Sequence, residues 1–130
     1  MAITTTIDSD TGARTHVVTG ELVPEDLLHA LGQIYGRSDY RPGACVLWDL
    51  RGTELHLFAK RDIRLVADFI TENRNAPPGT CAALVVARDL DFGLARMLEQ
   101  MLVAATDVRI TVFRDIDEAK AWLGRTTEVE

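Results

Sequence analysis

The segment CVLWDLRGTE, residues 45–54, joins an apolar run to an acidic and a basic residue. A buried strand here could deliver the Asp49 carboxylate and the Arg51 guanidinium to a working site, because such charged groups can bind a polar ligand through paired hydrogen bonds. Alternatively, the chain simply leaves the core and turns at Gly52. We favour the strand exit and keep the ligand contact as the alternative.

Charged residues also follow the other strands predicted below. Ligands of parallel α/β sheets usually lie beyond the carboxyl ends of the strands, so these side chains could surround one polar ligand. In the alternative that we favour, Asp91 and Asp115 cap helices, and the remaining charges form exposed pairs that contribute about 0–1 kcal/mol each. The charged residues at these strand ends are Glu21, Asp49, Arg51, Arg88, Asp89, Asp91, Arg114 and Asp115.

The sequence predicts no catalytic residue, metal ligand or cofactor site. The motifs GxSxG, HExxH, GxGxxG and GxxxxGK[ST] are missing, and the three histidines lack metal-ligand spacing. The two cysteines, Cys45 and Cys81, do not form a CxxC pair. Both begin apolar runs, so we expect reduced thiols that behave as small hydrophobic side chains. These observations predict a protein that is not an enzyme.

Composition narrows the class of partner and the location. The 130-residue chain carries a net charge of −6 and has no basic cluster with interleaved aromatic residues, which argues against nucleic acid and anionic membranes as partners. The N-terminal sequence MAITTTIDSDTG lacks the features of a signal peptide. No apolar stretch reaches the roughly 20 residues that span a bilayer. We therefore predict a cytoplasmic protein without membrane insertion.

Apolar periodicity predicts the elements that position these residues, in the order ββαβαβαβα. The second helix is the clearest, because Ile63, Val66, Ala67 and Ile70 repeat with helical spacing. The strand beginning at Cys81 is apolar at every position, which is typical of a strand covered on both faces. The predicted elements are strands at 3–7, 14–22, 44–50, 81–87 and 108–113, a turn at 9–12, and helices at 24–35, 60–73, 91–105 and from 115 to about 123.

This order predicts a single α/β domain over residues 1–130, with a frayed tail at 125–130. Its mixed five-stranded sheet begins with an antiparallel hairpin and continues as right-handed βα units. If the strands stack in chain order, all helices lie on one side, and the opposite face, including Trp48 or its neighbours, stays open. An apolar patch of that kind usually marks an interaction surface. We therefore expect a twofold dimer. The alternative is a monomer in which the hairpin and loops cover this face.

Three segments carry a resemblance to a known family: VLWDLRGTEL, LVVARDLDFGLARMLEQM and VRITVFRDIDEAKAWL. They resemble the SpoIIAA-like branch of the STAS superfamily, and the similarity extends from Ile3 to Leu123. It implies a non-enzymatic regulatory or ligand-binding module that is often dimeric. Anti-sigma-factor antagonists of this superfamily carry a phosphorylatable serine at the start of the second helix, whereas residues 55–62 here contain no hydroxyl group. The phosphorylation-controlled role is therefore not expected.

Two functions remain open at the level of sequence. The first is a dimeric, non-catalytic interaction module that can also bind a regulatory protein. The second is a carrier or sensor of a small apolar or lipid-like ligand held between helices and sheet, around Trp48, Phe58 and Phe69. The candidate ligand or partner contacts are Trp48, Asp49, Arg51, Phe58, Arg88 and Asp91.

Overall fold

A computed structural model describes residues 1–7, 13–74, 77 and 79–128, with side chains described as far as residue 125. Within these ranges the chain forms five strands and four helices in the predicted order. The predicted turn at 9–12 lies outside the described residues. The elements are β1 (Ala2–Ile7), β2 (Arg14–Glu21), α1 (Pro24–Tyr35), β3 (Val46–Glu54), α2 (Lys60–Asn73), β4 (Cys81–Val85), α3 (Asp89–Ala105), β5 (Arg109–Phe113) and α4 (Ile116–Glu128).

The strands form one mixed sheet in the order β1-β2-β3-β4-β5. β1 pairs antiparallel with β2, and the other neighbouring pairs are parallel. The register places His16 opposite Trp48, and Trp48 opposite Leu84. The α/β class, the N-terminal hairpin and the mixed five-stranded sheet are therefore confirmed. No helix among the described residues has the length and apolar character to cross a bilayer.

Local sequence explains where several helices begin. α1 starts at Pro24, whose missing N–H costs nothing at a helix start, and Glu25 follows in the first turn, where the helix dipole favours an acid. At the start of α2, the Ala59 N–H donates to Oδ2 of Asp62 over 2.7 Å. α3 begins at Asp89 rather than after Asp91, so the predicted capping role of Asp91 is wrong.

Asp115 does cap α4, since it accepts a hydrogen bond of 2.8 Å from the N–H of Asp117. α4 continues to Glu128 and is therefore longer than predicted. The predicted frayed tail, residues 125–130, lies partly within this helix, and positions 129 and 130 fall outside the described residues.

Helices cover both faces of the sheet, so the expectation that all helices lie on one side is wrong. α1, α2 and α3 bury one core with the sheet, whereas α4 packs on the opposite face of β4. There Ala119 is fully buried in a second core with Leu47 and Ala83. The right-handed crossover rule fixes the side of the sheet on which a helix lies only when that helix connects two parallel strands. α4 connects to no further described strand, so it was free to cover the side that lacked helices.

The open apolar face that predicted a dimer is therefore absent among the described residues. Trp48 lies on the side of α1, α2 and α3, because it packs against that core. The part of the α4 face over β1 and β2 carries threonines at positions 4, 6, 15 and 19. Hydroxyl side chains at these positions make this part of the face polar. The sheet face thus gives no reason for self-association.

Cys45 and Cys81 form a disulfide bond, with their Cα atoms 4.7 Å apart. The expectation of reduced thiols is therefore wrong. Because β3 and β4 are parallel neighbours, residues at the starts of these strands lie side by side although they are 36 positions apart in sequence. Disulfides persist mainly in oxidising compartments, so this bond argues against the predicted cytoplasmic location, which stays a prediction.

We expect the substitutions Cys45→Ala and Cys81→Ala to have non-additive effects on stability. Either one removes the same bond, which closes a loop of 36 residues and contributes about 3–4 kcal/mol in the chain-entropy model. Urea unfolding of both single variants and the double variant measures the loss in the free energy of unfolding. The three losses should be similar. A double variant that loses the sum of two large single effects would show that the cysteines act independently.

Candidate functional site

The charged residues predicted at the strand ends do not meet at one place. Asp49 and Arg51 form an ion pair of 2.8 Å on the α4 side of the sheet, where Lys120 and Asp117 also act on them electrostatically. The hydrogen bond from Arg51 holds the pKa of Asp49 below its usual range. This pair is satisfied within the chain. The strand exit that we favoured is nevertheless wrong, because β3 continues through Gly52 to Glu54 and pairs with β2 there.

Arg88 and Asp91 lie at the carboxyl edge of the sheet, towards the face opposite to α4. Arg88 lies 3.3 Å from a carboxylate oxygen of Glu54 and donates to the carbonyl of Thr53 over 3.1 Å. The buried Asp91 accepts a hydrogen bond of 2.9 Å from the N–H of Leu55 and thereby joins the β3–α2 connection to α3. These contacts join β3, the β3–α2 connection and the start of α3 at the carboxyl edge of the sheet.

The remaining charges at this edge form local contacts. Arg114 lies 2.5 Å from a carboxylate oxygen of Asp89 and stacks over the ring of Phe92, with 4.6 Å between the guanidinium carbon and the ring centroid. Glu21 is exposed at the end of β2. These charged residues thus pair locally rather than around one point, and the polar ligand site at this edge stays a prediction.

The structure contains instead an apolar cavity of about 100 Å³ between the sheet and the helices α1, α2 and α3. Trp48 and Phe58 line it, as the hypothesis of an apolar ligand predicted. Phe69 stands outside the wall and stacks on Tyr35, with ring centroids 6.3 Å apart. The lining residues are Leu22, Leu27, Leu31, Tyr35, Val46, Trp48, Leu50, Leu55, Phe58, Ile63, Val66, Ile70, Arg74, Ala82, Leu84, Leu94, Ala95, Leu98, Leu102 and Ile110.

Two small side chains help to explain why this space stays open. Ala82 on β4 and Ala95 on α3 both line the cavity and are buried. Each ends at its methyl group, so neither fills the space between helix and sheet as a leucine would. Closely packed protein interiors contain few voids larger than a water molecule. The cavity is therefore a distinctive feature of this core.

His16 packs against Trp48, which lines the cavity. The two rings lie 4.4 Å apart between centroids, and the Thr5 hydroxyl lies 2.8 Å from Nδ1 of His16. Burial, assisted by the nearby charges of Arg14 and Arg37, lowers the pKa of His16 from 6.5 to about 4. The imidazole is therefore neutral at pH 7, and Trp48 packs against an uncharged ring.

The polar groups of the wall, Tyr35 and Arg74, lie at one end of the cavity. Tyr35 ends α1 and Arg74 follows α2, and both helices run antiparallel to the strands, so this end is the amino edge of the sheet. Burial raises the pKa of Tyr35 and lowers the pKa of Arg74. The Tyr40 hydroxyl donates to the Arg74 carbonyl over 2.8 Å and ties the loop after α1 to the end of α2.

Sequence reasoning missed this end of the cavity. It assigned no site role to Tyr35 or to Arg74. The available signal was an arginine directly after the apolar stripe of α2 and before the prolines at 77 and 78. That signal is weak, because a cation at a helix C-terminus is also favoured by the helix dipole.

The chemistry of the wall suits binding. Its described members are aliphatic and aromatic residues together with one hydroxyl group, one indole and one guanidinium group. The wall includes no carboxylate, imidazole or thiol that could act as a general base or nucleophile. Among the described residues, no cluster of three or more histidine, cysteine or acidic side chains could hold a metal ion.

A solved structure is similar to this chain over nearly its whole length. It is an uncharacterised protein of the DUF3478 family with a SpoIIAA-like fold, from Shewanella loihica PV-4. The two sequences are 19% identical, and the match covers 94% of this chain and 92% of that chain with a TM-score of 0.55. No family model and no curated protein matches this chain. The similarity confirms the SpoIIAA-like resemblance at the level of the fold.

We expect the free energy of unfolding to fall as the pH is lowered from 6.5 towards 4. The unfolded chain binds a proton at its histidine near pH 6.5, whereas the folded chain keeps His16 neutral until about pH 4, so acid favours the unfolded state by on the order of 2 kcal/mol. Urea unfolding across this range measures the slope.

The variant His16→Asn should flatten this pH dependence, because it removes the titrating group. His29→Asn is the matched control, since His29 is exposed on α1, and it should keep the wild-type slope. Equal slopes for H16N and the wild-type protein would assign the pH dependence to other groups.

Proposed function

We propose that this protein is a non-catalytic binding module that holds a small apolar molecule between the sheet and the helices α1, α2 and α3. One observation carries this proposal, namely the cavity of about 100 Å³ with its almost entirely apolar wall. Of the two functions considered from the sequence, this is the carrier or sensor of an apolar ligand. The argument for the interaction module depended on an open sheet face, which α4 covers.

The physical basis is the free energy of an empty apolar cavity. Such cavities stay dry, because water inside them has no polar partners, and they bind apolar molecules of matching size. An unfilled cavity of about 100 Å³ destabilises a core by about 2 kcal/mol. A bound apolar ligand restores the missing contacts and links occupancy to the stability of the three helices around it. This linkage suits a sensor as well as a carrier.

The substitution Ala82→Val should fill part of the cavity. We expect it to raise the free energy of unfolding by about 1 kcal/mol, because it buries two further carbon atoms in empty space. It should also weaken the binding of toluene, measured by calorimetry or by ligand-observed NMR, by at least tenfold.

Ala83→Val is the matched control, since Ala83 is the next residue of β4 and is fully buried on the α4 side. Overpacking there should cost about 1–3 kcal/mol and leave the affinity for toluene unchanged. If wild-type protein binds neither toluene nor the smaller 1-pentanol, or if A82V binds them as well as wild type, the cavity is not the binding site.

A second observation favours self-association by another route. β1 is an edge strand whose sequence, AITTTI, contains no charge and no proline. Natural proteins usually protect such edges with charged residues or proline, because an unpaired strand can pair with another chain. The predicted homodimer would then be a sheet continued edge to edge through β1. Binding of a separate regulatory protein stays a prediction.

The substitution Thr4→Lys should disrupt this pairing. Thr4 is exposed on β1, and a lysine on an edge strand opposes edge-to-edge association. We expect sedimentation velocity to show a dimer for wild-type protein and a monomer for T4K. Gln33→Lys adds the same charge at an exposed position on α1 and should stay dimeric. A monomeric wild-type protein would remove this proposal, and a dimeric T4K would exclude β1 as the interface.

A further inference from the structure

Two hydrogen-bond donors stand without acceptors at the amino end of the cavity. Within the described part of the chain, no carboxylate lies within 4.0 Å of the Arg74 guanidinium, although Arg74 lines the cavity and is only partly exposed. The Tyr35 hydroxyl likewise has no hydrogen-bond partner among the described residues. The two groups are near enough to act on each other electrostatically.

Both groups are partly buried and keep some contact with solvent, and an anion is a stronger partner for them than water. A cation removed from water needs a counter-ion or several hydrogen bonds to offset the loss of hydration. Burial lowers the pKa of Arg74, and no ion pair of its guanidinium forms among the described residues. The negative end of the α2 dipole contributes only about 0.3–1 kcal/mol. An anion at the end of the cavity would satisfy both Arg74 and Tyr35.

The surroundings of this end are also positive. Asp39, in the loop after α1, is engaged by Arg37 through two contacts of 2.8 and 2.9 Å and by Arg14 at 3.9 Å. Tyr40 lies between the charges of Arg14 and Arg74. Arg14, Arg37 and Arg74 thus place positive charge in this region, although the whole chain carries a net charge of −6. This local field would attract an anion to the mouth of the cavity.

The size of the cavity limits the apolar part of the ligand. A cavity of about 150 Å³ in another protein holds benzene, and this one measures about 100 Å³. It therefore accommodates a branched or linear hydrocarbon group of about four to six carbon atoms. A single unpaired guanidinium matches one negative charge and can bind both oxygens of a carboxylate.

We propose that the cavity binds a short-chain carboxylate, with the hydrocarbon part against Trp48 and the carboxylate on Arg74 and Tyr35. This inference rests on the proposed function, since it requires the cavity to take a ligand. It adds that the ligand is an anion and that its charged end faces the amino edge of the sheet. The aliphatic wall buries the hydrocarbon part, and the two donors select the charge.

The test compares pentanoate, 1-pentanol, pentyl phosphate and toluene by calorimetry or ligand-observed NMR on the full chain. Wild-type protein should bind pentanoate at least tenfold more tightly than 1-pentanol and more tightly than pentyl phosphate. Affinity along a series from propanoate to octanoate should be greatest near five carbons. Rising salt concentration should weaken pentanoate binding more than toluene binding.

Variants then test which side chains select the charged ligand. Arg74→Met should remove the preference for pentanoate over 1-pentanol, because methionine keeps an apolar stem without the charge. Tyr35→Phe should weaken pentanoate binding severalfold by removing one donor. Arg64→Met is the matched control, since Arg64 is exposed on the same helix, and it should bind all four probes like wild type. Thermal unfolding confirms that each variant is folded.

The outcomes separate the two proposals. Binding of toluene without a preference for pentanoate would overturn this inference and leave the apolar binding function intact. A preference that survives in R74M would also overturn it, because the charge would then be recognised elsewhere. Tighter binding of pentyl phosphate would replace the carboxylate with a phosphate ester as the ligand class. Failure of every probe to bind would overturn the proposed function itself.

Discussion

The apolar character of β4 on both of its faces is the constraint on which the rest of this structure depends. All five residues of Cys81–Val85 are buried, and a strand of this kind is stable only when both faces are covered. Right-handed crossovers place α1, α2 and α3 on one face. The other face is then available to α4, which buries Ala119 and Leu123 against it. A strand with alternating polar residues would have needed only one layer of helices.

The two faces of β4 are packed very differently. On the α4 side, Leu47, Ala83 and the disulfide between Cys45 and Cys81 form a small, closed core. On the side of the three helices, Ala82 faces a cavity. Neighbouring alanines in one strand therefore have opposite surroundings, because successive side chains point to opposite faces. The less completely packed side is the one with room for a ligand.

Ligands of parallel sheets usually bind at the carboxyl edge of the strands, where the charged side chains of this chain pair with one another and with the backbone. Asp91 holds the β3–α2 connection through the Leu55 N–H, and Arg88 binds Glu54 and the carbonyl of Thr53. The cavity therefore has its polar end at the amino edge, with Tyr35 and Arg74. The same charged residues that suggested a site from sequence are the ones that form these pairs.

Local patterns were sufficient to predict the element order, the α/β class and the limits of α2, Lys60–Asn73, because helical and strand periodicity depends on residues that are close in sequence. They also indicated Trp48 and Phe58 as neighbours of an apolar ligand. The side on which α4 packs, the pairing of Cys45 with Cys81, and the position of Arg74 beside Tyr35 depend on strand order and register. Strand order and register bring together residues that are far apart in the chain. A local sequence pattern does not indicate which distant residues will meet.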